Sequence, residues 1–299
     1  MSDLTLRKIS PVIGCEVTGI DLSGSLSEQQ ASTLRQALEE HCVLFFPGQA
    51  LEPDKQVEFA KLFGYVPEVP EAMLKVHKAH ACVSVLENDA DHPPTVNNWH
   101  SDRSFAAEPD FASMIQAVST PEIGGDTIWC NMYALYEGLS DRMQNHLEGL
   151  TAVHDFMKLY ERPAKKALWE GNKRDAMIAQ QQHFPPVSHP MVWTNPKTGR
   201  KALFVNESFT RHIDGMSESE SRNILGHLFE QAKTPEYQIR YKLKNGDAAM
   251  WDNRSTVHYA VADYYPNHRL MQRVTMQIKR QALFETNLEP ESAAAGNRE

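Results

Sequence analysis

The sequence predicts a mainly β fold with flanking helices, a double-stranded β-helix barrel of the jelly-roll, cupin-like kind. Three observations lead there. Strand-like segments lie scattered between helices without βαβ alternation, which favours an antiparallel barrel over a parallel sheet. Residues 269–278 alternate strictly, as a strand with two different faces would. A pair of metal-ligand types, His100 and Asp102, sits early in the chain and a third, His258, sits late, so an early segment has to meet a late one.

With 299 residues the chain can bury a full core in one domain. We expect that domain over 1–284, with an insert or lid at about 157–182 and a disordered polar tail over 285–299. A net charge of −9 argues against nucleic acid or an anionic membrane as partner. Cys15, Cys42, Cys82 and Cys130 form no Cys-x-x-Cys pair and read as reduced thiols. No apolar run follows Arg7-Lys8 as in a signal peptide, and no stretch approaches the roughly 18 apolar residues of a membrane span. The expectation is a cytoplasmic protein.

The elements follow in order. Residues 9–21 read as a short β start with a turn at Gly19. Ser27 and Gln30 form a capping box opening a helix to about His41, with Ala31, Leu34 and Leu38 on one side. Cys42-Val43-Leu44-Phe45-Phe46, ended by Pro47-Gly48, is a buried strand and turn. Pro53 starts a second helix carrying Val57, Ala60 and Phe63, with Gly64 as its stop. Prolines punctuate 65–98, which reads as an irregular active-site rim holding one strand over 81–86. Residues 111–118 form a strand, and Gly124-Gly125 turn the chain into another over 126–129. Ser140 and Ser217 each cap a helix. Polar 157–182 is the insert, and the nearby His183 and His189 are read as ordinary polar residues. Strands are expected at 202–206 and 247–253.

The chemistry concentrates in Asn98-Trp99-His100-Ser101-Asp102. In extended chain, residues i and i+2 share a face, so His100 and Asp102 would aim at one point. Two histidines and one carboxylate on one face of an octahedron leave three positions open, the pattern of non-haem Fe(II) oxygenases. On the alternating strand, Leu270, Val274, Met276 and Ile278 face one way and Arg269, Met271, Arg273, Thr275 and Gln277 the other. If the apolar face packs against helices, two arginines point inward, and a buried arginine needs an anion. Gly124-Gly125 lack a phosphate-loop lysine, which argues against a nucleotide.

Together these motifs, with Gly124-Gly125-Asp126-Thr127, Trp251-Asp252-Asn253-Arg254, His258-Tyr259 and the Arg269/Arg273 pair, resemble the taurine dioxygenase family over about residues 8–280. This is the 2-oxoglutarate-dependent Fe(II) group that includes alkylsulfatases and phenoxyacetate dioxygenases. The resemblance implies His100, Asp102 and His258 as catalytic iron ligands, Thr127 and Arg269 as partners of the far carboxylate of 2-oxoglutarate, and Arg273 and Phe105 as substrate contacts. It implies Fe(II), 2-oxoglutarate as co-substrate and O2, a small anionic organic substrate, and a homo-oligomer, dimer or tetramer. Where taurine-using members carry a histidine and an asparagine, this chain has Val69 and Val96, which points to a less polar substrate than taurine. The alternatives are taurine dioxygenase proper, a zinc cupin hydrolase or isomerase, and a non-enzymatic cupin-like module. The Thr127/Arg269 clamp and the complete ligand set weigh against the last two.

Overall fold

The computed structural model describes residues 4–69, 74–161, 178–179 and 181–278. The chain opens with the antiparallel pair β1 (Thr5–Lys8) and β2 (Cys15–Thr18). Helix α1 (Glu28–His41) begins at the expected capping box, with reciprocal hydrogen bonds between Ser27 and Gln30. Strand β3 (Val43–Phe46) and helix α2 (Pro53–Ala60) follow. Gly64 serves not as a left-handed cap but for close approach: a Cβ there would lie 2.8 Å from the Gln277 carbonyl oxygen.

The stretch expected as an irregular rim contains a hairpin, β4 (Val76–His77) and β5 (His80–Asn88). Then come β6 (Ala112–Ser119), β7 (Thr127–Asn131), the short helices α3 (Met132–Glu137) and α4 (Asp141–Leu147), and β8 (Thr151–His154). Next are β9 (Val187–Pro190), β10 (Val192–Thr194), β11 (Lys201–Leu203) and β12 (Thr210–Ile213). Helix α5 (Glu218–Gln231) starts at a second capping box, Ser217 with Glu220. The chain ends in β13 (Gln238–Tyr241), β14 (Ala248–Asp252), β15 (Thr256–Ala260) and β16 (Arg269–Met276). Of the expected insert, Phe156–Glu161 forms a 3-10 helix that includes its first residues, while 162–177 and 180 lie outside the described residues, as does the tail.

One eight-stranded sheet runs β1-β2-β3-β14-β6-β16-β5-β4, and a three-stranded sheet runs β13-β7-β15. Smaller sheets are β12-β8-β9 and β10-β11. Among the described residues the ladders do not close into one barrel, which corrects the expected closure: β1 and β4 end the large sheet as edges. The central strands of the large sheet are buried on both faces, and the two-residue period of a strand sorts their side chains. Val43 and Phe45, Ile115 and Ala117, Ala249 and Trp251, and Met271 enter the core shared with the β13-β7-β15 sheet. Leu44 and Phe46, Ala112 and Met114, Ala248 and Met250, and Val274 and Met276 enter the core under α1 and α2. Phe45 and Trp251 both meet Trp129 of β7, at ring-centroid distances of 5.4 and 5.7 Å. The apolar face of β16 thus packs toward helices, as expected, and the arginine face looks toward the smaller sheet.

Candidate active site

Strands β14 and β15 are joined by the turn Asn253-Arg254-Ser255, which carries His258 into β15 opposite Trp129. His258 also forms an isolated antiparallel bridge with His100: His100 N donates to His258 O at 3.0 Å and His258 N to His100 O at 2.8 Å. Residues opposed in such a bridge project side by side. The two imidazoles therefore meet, with ring centroids 4.0 Å apart. The chain then leaves the bridge and turns, so Asp102 faces the pair from a turn closed by Arg103 at φ +49°, not from extended strand. Asp102 Oδ1 lies 3.9 Å from His100 Nε2 and 4.0 Å from His258 Nε2.

All three are buried, and their ligand atoms lie within 4.8 Å of one another, the one such cluster of metal-ligating types among the described residues. The donor chemistry fits a divalent cation. His100 Nδ1 is 2.8 Å from the Asn98 carbonyl, which can only accept, so Nδ1 carries the proton and Nε2 presents a lone pair. Burial, and then the neighbouring His100, push His258 well below the ordinary histidine value, so it stays neutral. Burial alone would raise Asp102, but Arg273, His258, His100 and the Ser113 hydroxyl together hold it far below the usual carboxylate range.

Arg273 Nη1 donates to Asp102 Oδ1 at 2.7 Å. Arg269, two strand periods away on the same face, is 6% exposed, and burial lowers it from the ordinary arginine value. Its guanidinium carbon stands 5.6 Å from the Tyr264 ring centroid. Its stem runs past the Gly124-Gly125 turn, where a Cβ on Gly125 would lie 3.4 Å from Arg269 Cδ. That turn leads directly into Thr127, also buried. Among the described residues, Arg269 forms no ion pair.

Phe105 packs with Phe209, Phe156 and Phe184 at centroid distances of 4.7, 5.0 and 5.2 Å, in a small core with Ala106 and Met157. Phe156 and Phe184 flank the insert on either side. Val69 is half-buried, its N–H bonded to Ala81 O, and Val96 is exposed on the approach to His100. His189 Nε2 donates to Ala106 O at 3.0 Å in the interior, and His183 stands edge-on to Phe184; neither joins the metal cluster. Sequence reasoning named Asn253 only as part of the Trp251–Arg254 motif and missed its contact with Asp102, as it missed Ser113 and the partners of Phe105. Ser113 sits at an inward position of β6, but a serine in a strand carries no signal by itself.

The profile of the Taurine catabolism dioxygenase TauD, TfdA family matches residues 5–275. An alkylsulfatase from Acinetobacter baylyi is 35% identical over 91% of this chain and 84% of its own length. An alpha-ketoglutarate-dependent sulfate ester dioxygenase from Pseudomonas putida is 32% identical over 92% of this chain and 89% of its own. The crystal structure of a taurine dioxygenase from Burkholderia xenovorans superposes with a TM-score of 0.77 at 30% identity, covering 92% of this chain and 89% of that one. The bridge that pairs two histidines, the carboxylate facing them and the two arginines on one strand face thus occur in a chain that belongs to the TauD/TfdA dioxygenase family.

Proposed function

We propose that the protein is an Fe(II)- and 2-oxoglutarate-dependent dioxygenase that hydroxylates a small anionic organic substrate: a sulfate ester first, a sulfonate or an aryloxy or alkyl acid next. The observation that carries this is the meeting of His100, Asp102 and His258 within 4.8 Å, with Arg273 on the shared carboxylate. Two neutral imidazoles and one carboxylate suit Fe(II) and leave three of six positions open. Iron held there would supply the activation of O2 that is coupled to decarboxylation of 2-oxoglutarate.

The chain's own residues do the rest. Arg269 keeps its charge when buried, so an anion beside it replaces lost hydration, and with Thr127 it grips the far carboxylate of 2-oxoglutarate. Arg273 orients the anionic group of the primary substrate, holding one C–H near the metal. Phe105 and its aromatic partners exclude water from that side. Val69 and Val96, in place of polar groups, favour a substrate with more hydrocarbon than taurine. The alkylsulfatase and sulfate ester dioxygenase among the relatives support sulfate esters. Hydroxylation of the carbon bearing the sulfate oxygen lets the adduct collapse to an aldehyde and inorganic sulfate.

We read the eight-stranded and the β13-β7-β15 sheets as the two halves of a double-stranded β-helix, supported by the Phe45 and Trp251 contacts to Trp129 and by the His100–His258 bridge. The whole of 1–284 is read as one domain. Cys15, Cys42 and Cys130 are buried free thiols, and we read the setting as reducing and cytoplasmic. A dimer or tetramer belongs to this reading, with exposed Tyr65 and Ile123 as apolar surface for an interface. The test is release of labelled CO2 from 2-oxoglutarate by purified protein with Fe(II) and ascorbate, across alkyl sulfates, sulfonates including taurine, and aryloxy acids. Substrate-dependent release is expected, strongest with a sulfate ester. No release with any of them would end this reading.

A further inference from the structure

We propose that Asn253 and Ser113 are positioning residues that fix Asp102 so that one oxygen, Oδ1, faces the histidines. The inference rests on the metal-centre reading above. Asn253 sits in the β14–β15 turn and is 1% exposed. Its backbone is clamped: its N–H donates to Phe111 O at 2.9 Å, and its O accepts from Ser101 Oγ at 2.7 Å. Its neighbours Asp252 and Arg254 form a buried ion pair at 2.6 Å, and the Arg254 guanidinium lies between Phe111 and Trp193, 4.4 and 4.6 Å from their ring centroids.

The direction of each hydrogen bond then follows from donor chemistry. Trp251 Nε1 and the Asp102 backbone N–H can only donate, and both meet the same Asn253 atom, at 2.9 and 3.2 Å. That atom is therefore the amide oxygen, which settles the amide orientation. The amide NH2 is left to donate to Ser113 Oγ at 3.0 Å. With that lone pair taken, the Ser113 hydroxyl points its own hydrogen onward, to Asp102 Oδ2 at 2.6 Å. The chain of donors runs one way, from Trp251 through Asn253 and Ser113, and ends on a carboxylate oxygen.

The consequence is an asymmetric Asp102. Oδ2 is held by a short charge-assisted bond to a side chain of β6, in the middle of the large sheet. Oδ1 is the atom presented to both Nε2 nitrogens and to Arg273. A carboxylate so held would offer a metal one oxygen and leave three positions for co-substrate and O2. A carboxylate free to rotate could chelate through both oxygens and close one of them. Outer partners of this kind typically change metal affinity about 10- to 100-fold.

The test titrates Mn(II) into the purified full chain, following loss of the free-ion EPR signal, and records the visible spectrum of the Co(II) form. Ser113→Ala removes the donor, and Ser113→Thr keeps it. Ser113→Ala is expected to weaken Mn(II) binding about tenfold or more and to alter the Co(II) bands, with Ser113→Thr restoring both. Asn253→Asp, which loses the NH2 donor, is expected to behave like Ser113→Ala. The proposal is overturned if Ser113→Ala binds Mn(II) within twofold of the parent with an unchanged spectrum, or if alanine and threonine variants are equally impaired. Should Ser113→Ala not fold, the Asn253→Asp titration decides by the same criterion. A parent chain that takes up no Mn(II) would instead sink the metal-centre reading itself.

Discussion

Arg273 Nη1 and the two histidines converge on one atom: Asp102 Oδ1 accepts from Arg273 at 2.7 Å and lies 3.9 and 4.0 Å from the two histidine Nε2 nitrogens. An anion bound to Arg273 is thereby held beside the metal position. Arg273→Ala keeps all three metal donors and removes that anchor. The expected result is a rise in KM for the anionic substrate of about 100-fold, since losing one partner of a buried charge pair costs roughly 2–5 kcal/mol. Mn(II) affinity should change less than tenfold. An equal loss in both would make Arg273 part of the metal site's scaffold instead.

His100→Ala and Asp102→Ala each remove one of three donors from a site with no spare ligand among the described residues. Turnover should fall below detection in both, with Mn(II) binding weakened by at least 100-fold. Retained turnover in either would dissolve the triad.

Arg269→Ala tests the second clamp separately. The guanidinium is buried and, among the described residues, forms no ion pair, so its charge is available to a co-substrate carboxylate. The 2-oxoglutarate requirement should rise about 30-fold or more, matching the loss of a bidentate charge-assisted pair, while the KM of the primary substrate changes little. Gly125→Ala should act through the same residue. Gly125 has φ +75°, costly for any side chain by about 1–2 kcal/mol, and its new Cβ would crowd Pro121 Cγ at 3.2 Å and touch Arg269 Cδ at 3.4 Å. A lowered Tm together with a raised 2-oxoglutarate KM is expected; a lowered Tm alone would show that the turn does not set Arg269.

The parts of this site visible in the sequence are those that carry their own signal. A capping box writes α1 into four residues, Ser217 marks the start of α5, and the period of two in β16 predicts which face holds Arg269 and Arg273 and which meets the helices. In the hairpin β4–β5 the expected strand over 81–86 lies within β5, while β4 and the pairing with β16, where Asn88 faces Arg269, carried no local signal and the prolines nearby read as loop. The His100–Asp102 pair was legible as a ligand set but not in its backbone: the expected extended segment is a bridge followed by a left-handed turn, stabilised by Asn253 from the far end of the chain. Ser113 and Asn253 look like any strand serine and turn asparagine until the fold brings them to Asp102.

A last expectation concerns acid stability. His154 is completely buried in β8, with Nδ1 3.0 Å from Ser104 Oγ and Nε2 3.2 Å from Thr210 Oγ1. Burial first, and then His189, hold it well below its ordinary 6.5, so the folded chain keeps it neutral. Below pH about 6.5 the unfolded chain binds a proton here that the folded chain does not, so stability falls as pH falls. The loss approaches about 1.4 kcal/mol per further pH unit until the folded-state value is reached. His154→Gln cannot titrate, so its urea-unfolding free energy should fall less between pH 7.5 and 5.5 than the parent's, by about 1.4 kcal/mol. Superimposable pH dependences would mean that His154 is protonated in the folded chain, and that the Ser104–His154–Thr210 contacts rearrange to admit a charge.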